Sequence, residues 1–80
     1  MKKQRRENRQ QWDGKQILAL RFHMGLTQRE MADRMGARQQ TISEWENGMY
    51  KPRGASSTLL SIIAERAKFK YTPGKRDAND

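Results

Sequence analysis

The sequence predicts an all-helical fold: one small bundle of four or five helices. Three observations carry the prediction. Capping pairs stand three residues apart at two places, Asp13 with Gln16 and Thr27 with Glu30, each followed at once by an apolar residue. Apolar positions recur at intervals of three and four rather than alternating. Glycine stands where several of these stretches end. Eighty residues make a single domain with one core and little room for a deep catalytic pocket.

Residues 1–11, MKKQRRENRQQ, have no apolar residue after Met1 and no periodicity. They are expected to form a basic arm outside the fold, with Lys2, Lys3, Arg5, Arg6 and Arg9 set against Glu7. The folded domain is expected over 12–68. Its first helix spans about 13–24: Asp13 caps it, Trp12 and Ile17 occupy the positions of a hydrophobic staple, and Ile17, Leu20 and Met24 follow before Gly25. The second starts at Thr27, places Met31, Ala32 and Met35 on one face, and stops at Gly36. The third runs over about 39–47 and ends at Asn47-Gly48. Pro52 and Gly54 punctuate the next loop, and a fourth helix over about 56–68 carries Leu59, Leu60, Ile62, Ile63 and Ala67. KFKYT, 68–72, alternates, with Phe69 and Tyr71 on one side, and is compatible with a short strand. Residues 69–80 are expected to be a tail that can join a dimer contact, together with the part of the fourth helix not needed for the core.

The net charge of +8 and a pI near 10.5 point to a polyanionic partner, most often nucleic acid. With no cysteine and one histidine, His23, neither a thiolate metal site nor a histidine cluster is available, so no metal and no cofactor are expected. Ser43 and Glu44 lack a histidine or lysine partner to make a nucleophile, so the chain is not expected to be an enzyme. The run LLSIIA is too short to span a bilayer, and the basic start leads into no apolar segment of a secretory signal. The expected location is the cytoplasm, on the nucleoid.

Only GAR, residues 36–38, separates the second helix from the third. So tight a connection, made with glycine, sets two short helices at a steep angle, which is helix-turn-helix geometry. Small Ala32 fits a close approach, and Met31, Met35, Ala37, Ile42 and Trp45 fall where the two helices face the core. With Ile42 and Trp45 turned inward, Gln39, Gln40, Ser43 and Glu44 lie on or near the outward face. A glutamine amide can bond adenine N6 and N7 together, and a glutamate can accept from cytosine N4.

The stretch LTQREMADRMGARQQTISEWENGMYKP resembles the helix-turn-helix of the phage Cro and repressor family, the XRE regulators, with the likeness covering roughly residues 14–67. The resemblance implies a lambda-repressor-like domain that binds double-stranded DNA, with its third helix in the major groove, usually as one half of a homodimer. It assigns base reading to Gln39 and Gln40, and a phosphate contact to Gln28 at the start of the second helix. Asn47, Lys51 and Arg53 stand where family members meet the DNA backbone. It further implies a structural ion pair between Arg21 and Glu46. Family members usually place Ser, Thr or Asn ahead of the paired glutamines; this chain has Arg38, which gives up a cap worth about 0.5–2 kcal/mol and can reach a phosphate or a guanine instead. KPRGASSTLLSIIAE resembles the same region of XRE-type antitoxins, which adds a toxin protein to the expected partners. The reading is therefore a small transcriptional regulator of the repressor type. The alternatives are an antitoxin that autoregulates its operon and a protein-bridging module of the same fold. RNA binding is disfavoured, since no aromatic is placed to stack bases.

Overall fold

A computed structural model describes residues 12–70, in which four helices and no strand are present: α1 (Gly14–Met24), α2 (Gln28–Met35), α3 (Gln39–Glu46) and α4 (Ala55–Arg66). Both capping boxes form. Asp13 accepts from the Gln16 N–H at 2.9 Å while Gln16 Oε1 accepts from the Asp13 N–H at 3.2 Å. Thr27 Oγ1 and Glu30 make the reciprocal pair at the start of α2, at 3.1 and 2.9 Å. Each box satisfies two backbone donors that a helix start leaves without an intrahelical partner.

All four helices also stop in the same way. The N–H groups of Leu26, Ala37, Met49 and Phe69 reach back five residues to the carbonyls of Arg21, Ala32, Glu44 and Ala64, at 2.9–3.1 Å. In each case the residue before the donor is left-handed: Gly25, Gly36, Gly48 and, at the end of α4, Lys68 with φ 57°. Lys68 is the departure, because a side chain in this region costs roughly 1–2 kcal/mol.

The reversal at Lys68 corrects two expectations. It ends α4 at Arg66, two residues early, and it breaks the alternation of KFKYT, so no strand forms over 68–70. Phe69 instead folds back onto Trp12, ring centroids 6.5 Å apart, and onto His23, at 5.3 Å. Burying a phenylalanine fully is worth about 1.5–3 kcal/mol, so even partial burial here offsets the strain at Lys68. His23 is exposed, as a surface histidine should be, yet its Nε2 lies 2.8 Å from the Ala67 carbonyl. A carbonyl only accepts, so Nε2 carries the hydrogen and pins the end of α4 to α1. Tyr71, like the arm residues Lys2, Lys3, Arg5, Arg6 and Arg9, lies outside the described residues.

The core is built from Trp12, Ile17, Leu20, Met31, Ala32, Met35, Ile42, Trp45, Leu60 and Ala64. Trp12 also donates from Nε1 to Ser61 Oγ at 3.1 Å, which satisfies its one polar atom as the ring is buried and ties the entry of the domain to α4. Leu59 and Ile63 pack on this core from α4, whereas Ile62 is exposed. Most of the apolar surface of α4 is thus spent on the monomer's own core.

Candidate nucleic-acid interface

The α2–α3 turn consists of Gly36, Ala37 and Arg38. Gly36 takes φ 67°, which a residue with a Cβ adopts only under strain, and the reversal lets the Ala37 N–H close on the Ala32 carbonyl at 2.9 Å. Buried Ala32 admits the close approach of the two helices. α3 is then clamped along its inner face by Ile42, fully buried, and Trp45, 6% exposed.

Its outer face is left to solvent. Arg38, Gln39 and Gln40 are exposed, while Ser43 and Glu44 are partly so. Arg38 occupies the N-cap position and its side chain makes no capping hydrogen bond, as the sequence implied. One bond is made on this face: Gln40 Nε2 donates to Glu44 Oε2 at 3.0 Å, one helical turn on. Beyond the helix, exposed Asn47, Lys51 and Arg53 follow on one loop, held in place by buried Pro52. Met49 and Tyr50, to which the sequence assigned no role, stand 61% exposed on the same loop.

The other end of α3 is locked. Arg21 Nε meets Glu46 Oε2 at 2.6 Å and Nη2 meets Oε1 at 3.0 Å, a two-pronged pair with side chains only 12% and 6% exposed. Arg21 Nη1 donates as well to the Leu26 carbonyl at 3.0 Å, so the guanidinium joins α3 to the α1–α2 turn. The hydrogen bond to Glu46 is the main cause holding the Arg21 guanidinium above its ordinary pKa. Burial opposes it, and the charge of Glu46 adds to it. Since the pKa is raised, the stability linked to the Arg21 proton is present below the usual guanidinium range and is lost as pH climbs through that strongly alkaline range.

Gln28 joins the same carboxylate. Its Nε2 donates to Glu46 Oε1 at 3.0 Å, leaving one amide hydrogen and Oε1 for other partners. The side chain of which a phosphate contact is expected is thus already anchored in the scaffold. Gly14 also carried no role in the sequence reading. A Cβ built there lies 2.6 Å from the carbonyl oxygens of both Trp45 and Glu46. The N-terminal end of α1 thus rests directly on the C-terminal carbonyls of α3, where the opposite poles of two helix dipoles meet. Its signal in the sequence was a glycine in the first turn of a helix, where almost any other residue is a better helix former.

Among the described residues no group of His, Cys, Asp or Glu could hold a metal ion, and no helix is long and apolar enough to cross a membrane. Two short helices joined by a three-residue turn, the second locked from within and open along its outer face, define a helix-turn-helix DNA-binding domain. Comparison with known families agrees, a family model described as helix-turn-helix matching residues 17–66. The chain belongs to this Cro/repressor-like, XRE-type helix-turn-helix family, whose members are DNA-binding regulators of transcription. No significant match is found among curated proteins or among solved structures.

Proposed function

We propose that the chain is a repressor-type transcriptional regulator that binds its operator as a homodimer, with α3 of each protomer in the major groove. The observation that carries this reading is the division of α3: its inner face and C-terminal end are fixed by Ile42, Trp45 and Glu46, while Gln39 and Gln40 are exposed and uninvolved in the core. Gln39, Gln40, Ser43 and Glu44 supply the base-reading face. Gln28, Arg38, Asn47, Lys51 and Arg53 contact phosphates on either side of it. Arg38 exchanges a helix cap for a cation beside the groove. The arm, with its five cations in the first nine residues, adds sequence-independent attraction. Two-fold pairing places two α3 helices on one face of the duplex, about 34–36 Å apart.

Selection of binding sites from random DNA with the full chain tests the proposal. The expected outcome is an inverted repeat whose half-sites are centred about 10 bp apart. A pool with no shared sequence contradicts specific reading, and a single unrepeated site contradicts the dimer. Removing residues 1–11 should lower the slope of log affinity against log salt by about two to four units per protomer, at about 0.9 per lost phosphate contact, and leave the preferred site unchanged.

The antitoxin form of the same activity needs a toxin-binding surface, for which the outward face of α4 with exposed Ile62 is the candidate. Co-purification with the product of an adjacent open reading frame distinguishes it. A bridging module, by contrast, has no use for the paired amides and predicts an unenriched DNA pool.

A further inference from the structure

The bond between Gln40 and Glu44 changes what Gln40 can offer to DNA. Carboxylate oxygens only accept, so the amide must turn its NH2 end toward Glu44, and the 3.0 Å contact is Nε2–H donating to Oε2. One amide hydrogen is thereby engaged. One hydrogen and Oε1 remain, a single donor beside a single acceptor. In the major groove adenine presents the complement, an N7 acceptor beside an N6–H donor. Guanine presents two acceptors, N7 and O6, which a free glutamine can meet with both hydrogens of its NH2 group. Gln40 held by Glu44 can meet only one of them, and its Oε1 would face the other, lone pair against lone pair.

We infer that Glu44 acts on DNA through Gln40: by holding one amide hydrogen it makes the pair a reader of a single base pair, selective for adenine over guanine. This rests on the proposal that Gln40 is a base reader and refines it, making Glu44 a positioning residue rather than an independent reader of cytosine. The arrangement also explains how a carboxylate is tolerated on a face turned toward phosphates. Its charge is directed along the helix to a donor of the same chain. The two residues sit one turn apart on α3, where i,i+4 side chains meet, so the contact needs no other element to hold it.

The test uses the full chain in three variants. Binding-site selection with Gln40→Ala first identifies the base pair whose preference that change removes. Affinities of the wild type, Glu44→Ala and Glu44→Gln are then measured on the selected operator and on the same operator with guanine replacing adenine at that pair. Glu44→Ala should reduce the adenine-over-guanine preference there by about 3- to 10-fold, part of the about 5- to 150-fold that a bidentate base contact supplies, and leave every other position unchanged. It should also raise affinity for random DNA, since an anion has been removed. Glu44→Gln, whose carbonyl still accepts from Gln40, should keep most of the preference. A loss of preference at a different base pair makes Glu44 an independent reader and overturns the inference, as does an unchanged adenine-to-guanine ratio. If Gln40→Ala removes no preference anywhere, the base-reading proposal fails and this inference with it, a result distinct from an intact Gln40 signal that ignores Glu44.

Discussion

At its C-terminal end α3 is held from three sides: Arg21 grips Glu46 with two nitrogens, Gln28 donates to the same carboxylate, and the backbone of Gly14 lies against the last carbonyls. At its start, two turns away, Arg38, Gln39 and Gln40 are exposed and no side chain caps the helix. Both ends are polar, and an amide occurs at each, so residue type does not separate them. What separates them is whether the polar groups are matched by another helix: Gln40 is bonded only within α3, to Glu44, whereas Glu46 is held by Arg21 and Gln28. Gln28 is matched, and removing its acceptor leaves a donor short of a partner. Gln39 is exposed and has no hydrogen-bond partner among the described residues, so in the proposed reading it would give up no bond of the fold on meeting a base. A wrong base would then leave its donor or acceptor unpaired in a desolvated groove, a penalty that discriminates between bases. A helix that must read DNA has to be rigid without using its reading groups for rigidity. Here the rigidity is supplied from the opposite end.

The contrast can be broken most forcefully at Glu46. Glu46→Ala leaves Arg21 nearly buried and uncompensated, and loss of one partner from a buried pair costs about 3–5 kcal/mol. Urea denaturation should show a loss toward the lower end of that range, because Arg21 keeps the Leu26 carbonyl. A smaller effect is expected at Gly14. Alanine is normally the better helix former, but the added methyl would meet two backbone carbonyls at 2.6 Å, so Gly14→Ala should destabilise by about 1–3 kcal/mol. A neutral or stabilising result in thermal melting would show that α1 can shift off α3 freely, and the locked end would lose one of its three supports. The smallest change sharpens the other end. Arg38→Ser supplies the missing cap and should stabilise the domain by about 0.5–1 kcal/mol. The same substitution should weaken DNA binding and reduce the salt slope by about 0.9, if the arginine meets one phosphate. Stability and affinity moving in opposite directions at one residue is the signature of a reading end that forgoes a structural bond.

Features that depend on neighbours in sequence were legible before the structure. Asp13 with Gln16, Thr27 with Glu30, the glycine stops and the GAR turn are all decided within six residues, and the structure has each of them. The outward face of α3 follows from Ile42 and Trp45 by helical periodicity alone. The Arg21–Glu46 pair spans 25 residues and was reached only through the family resemblance. What escaped is long-range. Gln28 meets Glu46 across 18 residues, Trp12 meets Ser61 across 49, and His23 meets Ala67 across 44. No local pattern encodes such contacts. Gly14 was invisible for the same reason, its partner being the backbone of a helix thirty residues away. The strand suggested by KFKYT failed because alternation over so short a stretch is a weak preference. Against it stood a specific apolar destination for Phe69, on Trp12 and His23.

The division of α3 is tested most directly by Gln40→Ala in the full chain, with affinity measured on a selected operator and on random DNA, and stability by melting. Specific affinity should fall about 5- to 150-fold, the worth of a bidentate base contact, while affinity for random DNA falls far less, by no more than the freed Glu44 charge costs, and the melting temperature stays where it was. An equal loss on both DNAs, or a destabilisation comparable to that of Glu46→Ala, would contradict the account, since Gln40 would then belong to the scaffold and the two ends of the helix would not differ.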